Sequence, residues 1–152
     1  MEKRVVITGM GAISPIGNNV KTMWEKLIAG KNGIAEITHF PTDEYKVKLA
    51  AEVKDFDAVA VLGGSEYKRY DRFVQFALAA VDEAMADSDL KGRIDEERLG
   101  VYIGSGVGGI NTTFNETKKL LEKGPRWVSP FLVPMMIGNM ASGLAAIRFN
   151  AK

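Results

Sequence analysis

Apolar positions along the chain recur with two periods, one suited to strands and one to helices. Arg4 to Thr8 is a largely β-branched run closed by glycines, the pattern of a buried strand entering a tight loop. Val20, Met23, Trp24, Leu27 and Ile28 then recur at helical spacing, with Asn18 or Asn19 placed to cap the helix and Gly30 placed to end it. Val47, Leu49, Ala51 and Val53 alternate with Lys46, Lys48, Ala50 and Glu52, which predicts a strand with one wet face. A helix is predicted from about Glu66 to Ala86 on the stripe Phe73, Phe76, Ala77, Ala80, Val81 and Ala84, stopping at Asp87-Ser88-Asp89. Leu99 to Gly104 reads as a second buried strand, followed by SGVGG and by a helix with Asn111 placed to cap it that stops at Gly124-Pro125.

The last stretch, Arg126 to Phe149, is different in kind. After Pro134, apolar and small residues run almost without a charge through Met135, Met136, Ile137, Met140, Leu144, Ala145, Ala146 and Ile147. A helix apolar on nearly every side has to be buried on nearly every side, so part of it is expected to meet a second protein surface. Ser129, Pro130, Pro134, Asn139 and Ser142 cut its continuous apolar length below the roughly 18 residues that a membrane span needs. Strands alternating with helices indicate an α/β fold with a largely parallel sheet, and the 152 residues suit one domain with a real core.

Composition removes several functions. A net charge of +1 argues against a nucleic-acid surface, which carries a strong basic excess. The absence of cysteine excludes disulfides, thiolate metal sites and thiol nucleophiles within these residues. Glycines interrupt the short apolar run of MEKRVVITGMG where a signal peptide needs a helix, so the expectation is a cytoplasmic first strand.

Candidate chemistry lies in the glycine loops. GMGAISPIG carries Gly9, Gly11 and Gly17, but Ser14-Pro15 stands where a dinucleotide fingerprint wants its third glycine. His39, the single histidine, sits in a loop without an acidic neighbour in sequence and reads as a solvated or structurally bonded residue. Lys68, Arg69 and Arg72 gather at a helix start, where positive charge opposes the dipole; they are either a solvated end or a partner surface.

VVITGMGAISPIG, YDRFVQFALAA, IGSGVGG, and SPFLVP followed by IGNMASG occur in an order that resembles the N-terminal part of elongating β-ketoacyl-acyl carrier protein synthases. That family has the thiolase fold, a five-layered αβαβα sandwich of two similar halves, and works as a cytoplasmic homodimer. The resemblance implies fatty-acid chain elongation: an acyl chain held as a thioester on a cysteine condenses with malonyl-acyl carrier protein, losing carbon dioxide. Residues 1–152 then form a partial N-terminal thiolase-like domain, without the C-terminal half of the family fold and just short of the catalytic cysteine. The segment alone is expected to be inactive, and poorly soluble or obligately associated.

Residue by residue, the resemblance places Val107 at the gate of the acyl pocket, with Gly106 and Gly108 beside it. It places Leu132, Met136 and Ile137 in the pocket wall contributed across the dimer. Lys68 and Arg69 match basic positions that meet the acidic carrier protein, while Ser65 stands where the family has a further basic residue and Gly63-Gly64 departs from its pattern. The implied partners are acyl carrier protein, acyl and malonyl thioesters and a second subunit, with no cofactor, metal, nucleic acid or membrane span. Two other readings stay open: a catalytically empty partner resembling a chain-length factor, and a nucleotide-binding module using GMGAISPIG.

Overall fold

The computed structural model describes residues 4–152, Glu66 by its backbone alone; the basic start at Met1 to Lys3 lies outside the described residues. The first helix, α1 (Val20–Ile28), begins where the Asn19 side chain accepts the Thr22 N–H at 2.8 Å, and Gly30 turns the chain away from its far end. Asn18 donates instead to the Lys54 carbonyl. The stripe on α1 is laid out as its spacing predicts, but Trp24, Leu27 and Ile28 face solvent in the single chain.

The sheet content is smaller than the pattern predicts. Among the described residues the only sheet pairs β1 (Ala35–Glu36) with β2 (Leu49–Ala50), antiparallel, with Ala35 opposite Ala50. Residues 4–8 and 99–104 join no ladder, and Val5, Ile7 and Tyr102 are 92%, 85% and 97% exposed. A β-branched run favours a pleated surface, yet a strand exists only where a neighbour takes its N–H and C=O groups. No described segment does so for these two runs.

The short α2 (Ala58–Leu62) is capped by Asp57. The helix predicted from Glu66 is in fact two elements: a 3-10 turn over Glu66–Arg69, and α3 (Arg72–Ser88), separated by an extended Tyr70. Asp71 makes the break, because its carboxylate takes the Phe73 N–H as an N-cap and its carbonyl takes those of Val74 and Gln75. Arg72 then stacks over Phe56 and Phe76, so it is not part of a free basic surface. The deepest residues of α3, Val74, Leu78 and Ala79, lie beside the predicted stripe rather than on it. The reason is that α3 is covered on more than one side: the 9–12 loop lies against Ala80 and Ala84, and the last helix packs elsewhere.

The next helix, α4 (Ile110–Lys123), has Gly109 rather than Asn111 at its cap and ends at Gly124 as expected. The apolar stretch is two helices, α5 (Leu132–Met136) and α6 (Met140–Phe149), with Ile137 extended between them. Pro134 is tolerated because it falls in the first turn of α5, where its missing N–H has no intrahelical partner to lose. Ala141 and Ala145, one turn apart and fully buried, bring α6 close to Val74 and Leu78 of α3. Burying a valine or leucine side chain contributes about 1.5–3 kcal/mol each, so this small cluster is the main apolar lock between the two helices. At its rim Arg148 makes a two-pronged bond to Asp82, 2.6 and 2.7 Å. The outer side of α6 is wet in the single chain, with Ile147 76% exposed, and no described helix is long and apolar enough to cross a membrane.

Candidate functional site

The site is built where the SGVGG loop meets the break between α5 and α6. Ser105 Oγ accepts the Gly108 N–H at 2.9 Å and folds the loop into a tight turn with Val107 at its tip. Gly108 has a φ of +79°, a conformation that costs glycine little and a β-branched residue a great deal. Gly109 then donates its N–H to the Met136 carbonyl at 2.9 Å. A continuous helix would have offered that carbonyl the Met140 N–H; here the loop takes it instead, which is why the apolar stretch divides. The approach is possible only without a side chain, since a β-carbon on Gly109 would overlap the Met135 carbonyl oxygen.

This contact brings together three of the four positions that the resemblance assigns to the pocket. Val107 is one residue from Gly108, whose backbone lies against Met136 and Gly138, and Ile137 lies between those two. Val107 is 70% exposed, while Met136, Ile137 and Leu132 are half-buried. Leu132 opens α5 at the end away from the loop.

Lys68 and Arg69 stand exposed at the end of the 3-10 turn. The Arg69 guanidinium lies 5.1 Å from the centre of the Phe131 ring, and Phe131 is the residue from which α5 starts. A candidate docking residue thus rests against one end of the helix whose other end carries Met136.

Three buried polar residues were not singled out as site residues by sequence reasoning: Asp71, Thr112 and Glu116. Asp71 Oδ2 accepts both the Thr112 N–H, at 3.0 Å, and the Thr112 hydroxyl, at 2.5 Å. Glu116 accepts from Lys119 Nζ at 2.6 Å and from the Ser129 N–H at 2.7 Å. The Lys119 ammonium first, and the Ser129 N–H second, hold its carboxyl below the usual value. A signal for Asp71 was present, an acid directly before an apolar helical run, but its long-range partner has no signature in sequence. Beside Glu116 an open groove of about 340 Å³ runs along α4 to Met135 and includes none of Val107, Leu132, Met136 and Ile137.

The other candidate loops are committed elsewhere. In GMGAISPIG, Asp87 accepts the Met10 N–H and Glu83 accepts that of Ala12, as well as that of Val20 at the start of α1, so donors that a phosphate would want already face carboxylates on α3. His39 meets Glu52 at 3.9 Å, an acid thirteen positions on that the fold supplies. The Thr38 hydroxyl chiefly holds the Glu52 carboxyl below its usual value, helped by backbone N–H groups. Among the described residues no group of three His, Cys, Asp or Glu side chains is arranged to hold a metal.

Residues 2–152 match the family described as the β-ketoacyl synthase N-terminal domain. This chain belongs to the β-ketoacyl synthases. It is 51% identical over 153 residues to 3-oxoacyl-[acyl-carrier-protein] synthase 2 of Staphylococcus aureus, covering 99% of this chain and 36% of that protein. Its likeness to the Synechocystis synthase 2 is 47%, again over 99% of this chain and 36% of the relative. The chain therefore spans about 36% of the length of these curated relatives. Among solved structures it resembles a chain of the complex described as a type II PKS acyl-carrier protein with its ketosynthase, at TM-score 0.80 and 27% identity, over 100% of this chain and 41% of that one. The ishigamide ketosynthase/chain length factor is similar at TM-score 0.79 and 27% identity, over 95% of this chain and 36% of that one. The fold is the thiolase-like α/β fold, of which this β-ketoacyl synthase chain shows mainly the helices and one small sheet.

Proposed function

We propose that this chain is the N-terminal portion of an elongating 3-oxoacyl-acyl carrier protein synthase. In the reaction an acyl group passes from its carrier to a cysteine thiolate as a thioester. Malonyl-acyl carrier protein then loses carbon dioxide, and its carbanion attacks the acyl carbonyl. The new carbon–carbon bond gives 3-oxoacyl-carrier protein, and the cysteine thiolate leaves. These residues hold no cysteine and so do not supply the thiolate. Its part is to shape the acyl pocket with Val107, Leu132, Met136 and Ile137, to present Lys68 and Arg69 to the acidic carrier protein, and to face a second subunit through α5 and α6.

The observation that supports this reading most directly is the seating of the SGVGG loop on Met136, which sets Val107 beside the α5–α6 break. Methionine suits a wall that must repack around chains of different length. The experiment is to purify the full-length protein that contains this segment and incubate it with acyl- and malonyl-carrier protein. Formation of 3-oxoacyl-carrier protein with release of carbon dioxide supports the reading; none, with a carrier proven active beside another condensing enzyme, refutes it. The 152 residues alone are expected to turn over nothing.

A second reading is favoured by the likeness to the ishigamide ketosynthase/chain length factor: a catalytically empty partner of a condensing enzyme. A cysteine in the strand-to-helix turn that follows in the full-length protein supports the synthase, and any other residue there supports the empty partner.

A further inference from the structure

Asp71 belongs neither to the docking pair nor to the pocket wall, yet it touches the frame of both. It is 6% exposed, and its carboxylate serves two helices. Oδ1 accepts the Phe73 N–H at the start of α3, and Oδ2 accepts the N–H and the hydroxyl of Thr112 in the first turn of α4, forty-one positions away. Helix α4 needs this help. Its cap is Gly109, kept bare by the close approach to Met135 and Met136, and a bare cap has no side chain with which to satisfy the first-turn N–H groups. The capping acceptor comes instead from across the fold.

A closed path of contacts results. From Asp71 it runs through Thr112 to Gly109, and from Gly109 to the Met136 carbonyl. It continues along α5 to Phe131, across to the Arg69 guanidinium, and back along the backbone to Asp71. Val107 projects from the loop that this path holds at one end. A displacement of the first turn of α4 therefore moves Gly109 against Met136, and the tip of the loop with it.

We infer that Asp71 is a positioning residue for acyl-chain selection: by capping α4 from outside, it sets how far the Val107 loop stands from Met136 and Ile137. This rests on the reading of the chain as part of a condensing enzyme. Asp71 meets no reacting atom; it acts through Thr112 and the loop.

The test uses the full-length synthase and three substitutions, Asp71→Asn, Thr112→Val and Thr112→Ser. For each, kcat and KM are measured with short and long acyl-carrier thioesters, alongside the melting temperature. Losing a hydrogen bond to a charged acceptor predicts a change of about tenfold in the long-to-short ratio of kcat/KM for Asp71→Asn and Thr112→Val. Thr112→Ser keeps the hydroxyl and is expected to keep the wild-type ratio. A uniform loss at every chain length, or a lowered melting temperature with an unchanged ratio, makes the carboxylate merely structural and overturns the inference. If the Asp71→Asn protein is insoluble, Thr112→Val decides by the same ratio, since it removes one hydroxyl and adds no bulk. A wild-type protein that condenses no acyl thioester overturns the synthase reading itself, and the inference with it.

Discussion

Glu116 takes the Ser129 N–H on its carboxylate at 2.7 Å, fastening the middle of α4 to the approach to α5. The acid is nearly enclosed, with a side chain 8% exposed, and Lys119 closes the other side at 2.6 Å. Its carboxyl therefore ionises more readily in the folded chain than in the unfolded one, where the value is 4.5.

The sign of the pH effect is set by that difference. A depressed carboxyl stabilises the fold fully above 4.5 and loses that contribution as the pH falls through the lower, folded value. Glu116→Gln imitates the neutral form and lacks the effect. Urea midpoints of the two proteins are expected to differ most at neutral pH and to converge below 4.5. A gap that widens on acidification counts against the clamp.

The Arg148–Asp82 pair joins α6 to α3 at the rim of the core, with side chains 39% and 25% exposed. Water and salt reach it, so a double-mutant cycle on Arg148→Ala and Asp82→Ala is expected to give a coupling of only about 0.5–1 kcal/mol. The coupling should shrink when salt is raised, and one unaffected by salt would show that the pair is shielded.

Gly109 and Gly106 give a contrast within one loop. A β-carbon at Gly109 overlaps the Met135 carbonyl, whereas one at Gly106 meets nothing within 4 Å. Gly109→Ala is expected to destabilise by about 1–3 kcal/mol, as overpacking does, and Gly106→Ala to stay within about 0.5 kcal/mol of wild type. Equal effects in chemical denaturation would mean the loop is not seated on α5.

Val107 is 70% exposed and precedes Gly108, whose backbone lies against Met136 and Gly138. If the full-length protein is the synthase proposed above, Val107→Phe is expected to lower its kcat/KM for long acyl substrates by about tenfold or more while sparing short ones. The same loss at all lengths would place Val107 outside the pocket.

Lys68→Glu and Arg69→Glu reverse charge on the turn proposed to meet an acidic carrier. Both are expected to raise KM for carrier-bound substrates by at least about tenfold at low salt with little change in kcat, the mark of lost steering. Arg69→Glu should cost more, because it also removes the guanidinium from the Phe131 ring. An unchanged KM in both variants would move the docking surface elsewhere.

The sequence by itself determined much of the helical framework: a cap for α1 at Asn18 or Asn19, of which the fold uses Asn19, the turn at Gly30, the end of α3 at Asp89 and the stop of α4 at Gly124. These features answer to side chains and backbone within a turn or two of one another, so spacing and residue type carry them. Four ordered motifs were likewise enough for the family, which the comparison over residues 2–152 shows.

Only the tertiary structure decided where the long apolar stretch breaks, which runs find a strand partner, and what caps α4. The Met136 carbonyl stands outside the helical ladder and accepts instead the N–H of Gly109, a residue far earlier in the chain. Residues 4–8 and 99–104 have the composition of strands and no described neighbour to pair with. Asp71 is an ordinary cap by its local sequence, and becomes the fastening of α3 to α4 only when folding brings Thr112 to its second oxygen. A hydrogen bond is a matter of distance in space, and chain order constrains that distance tightly only for near neighbours.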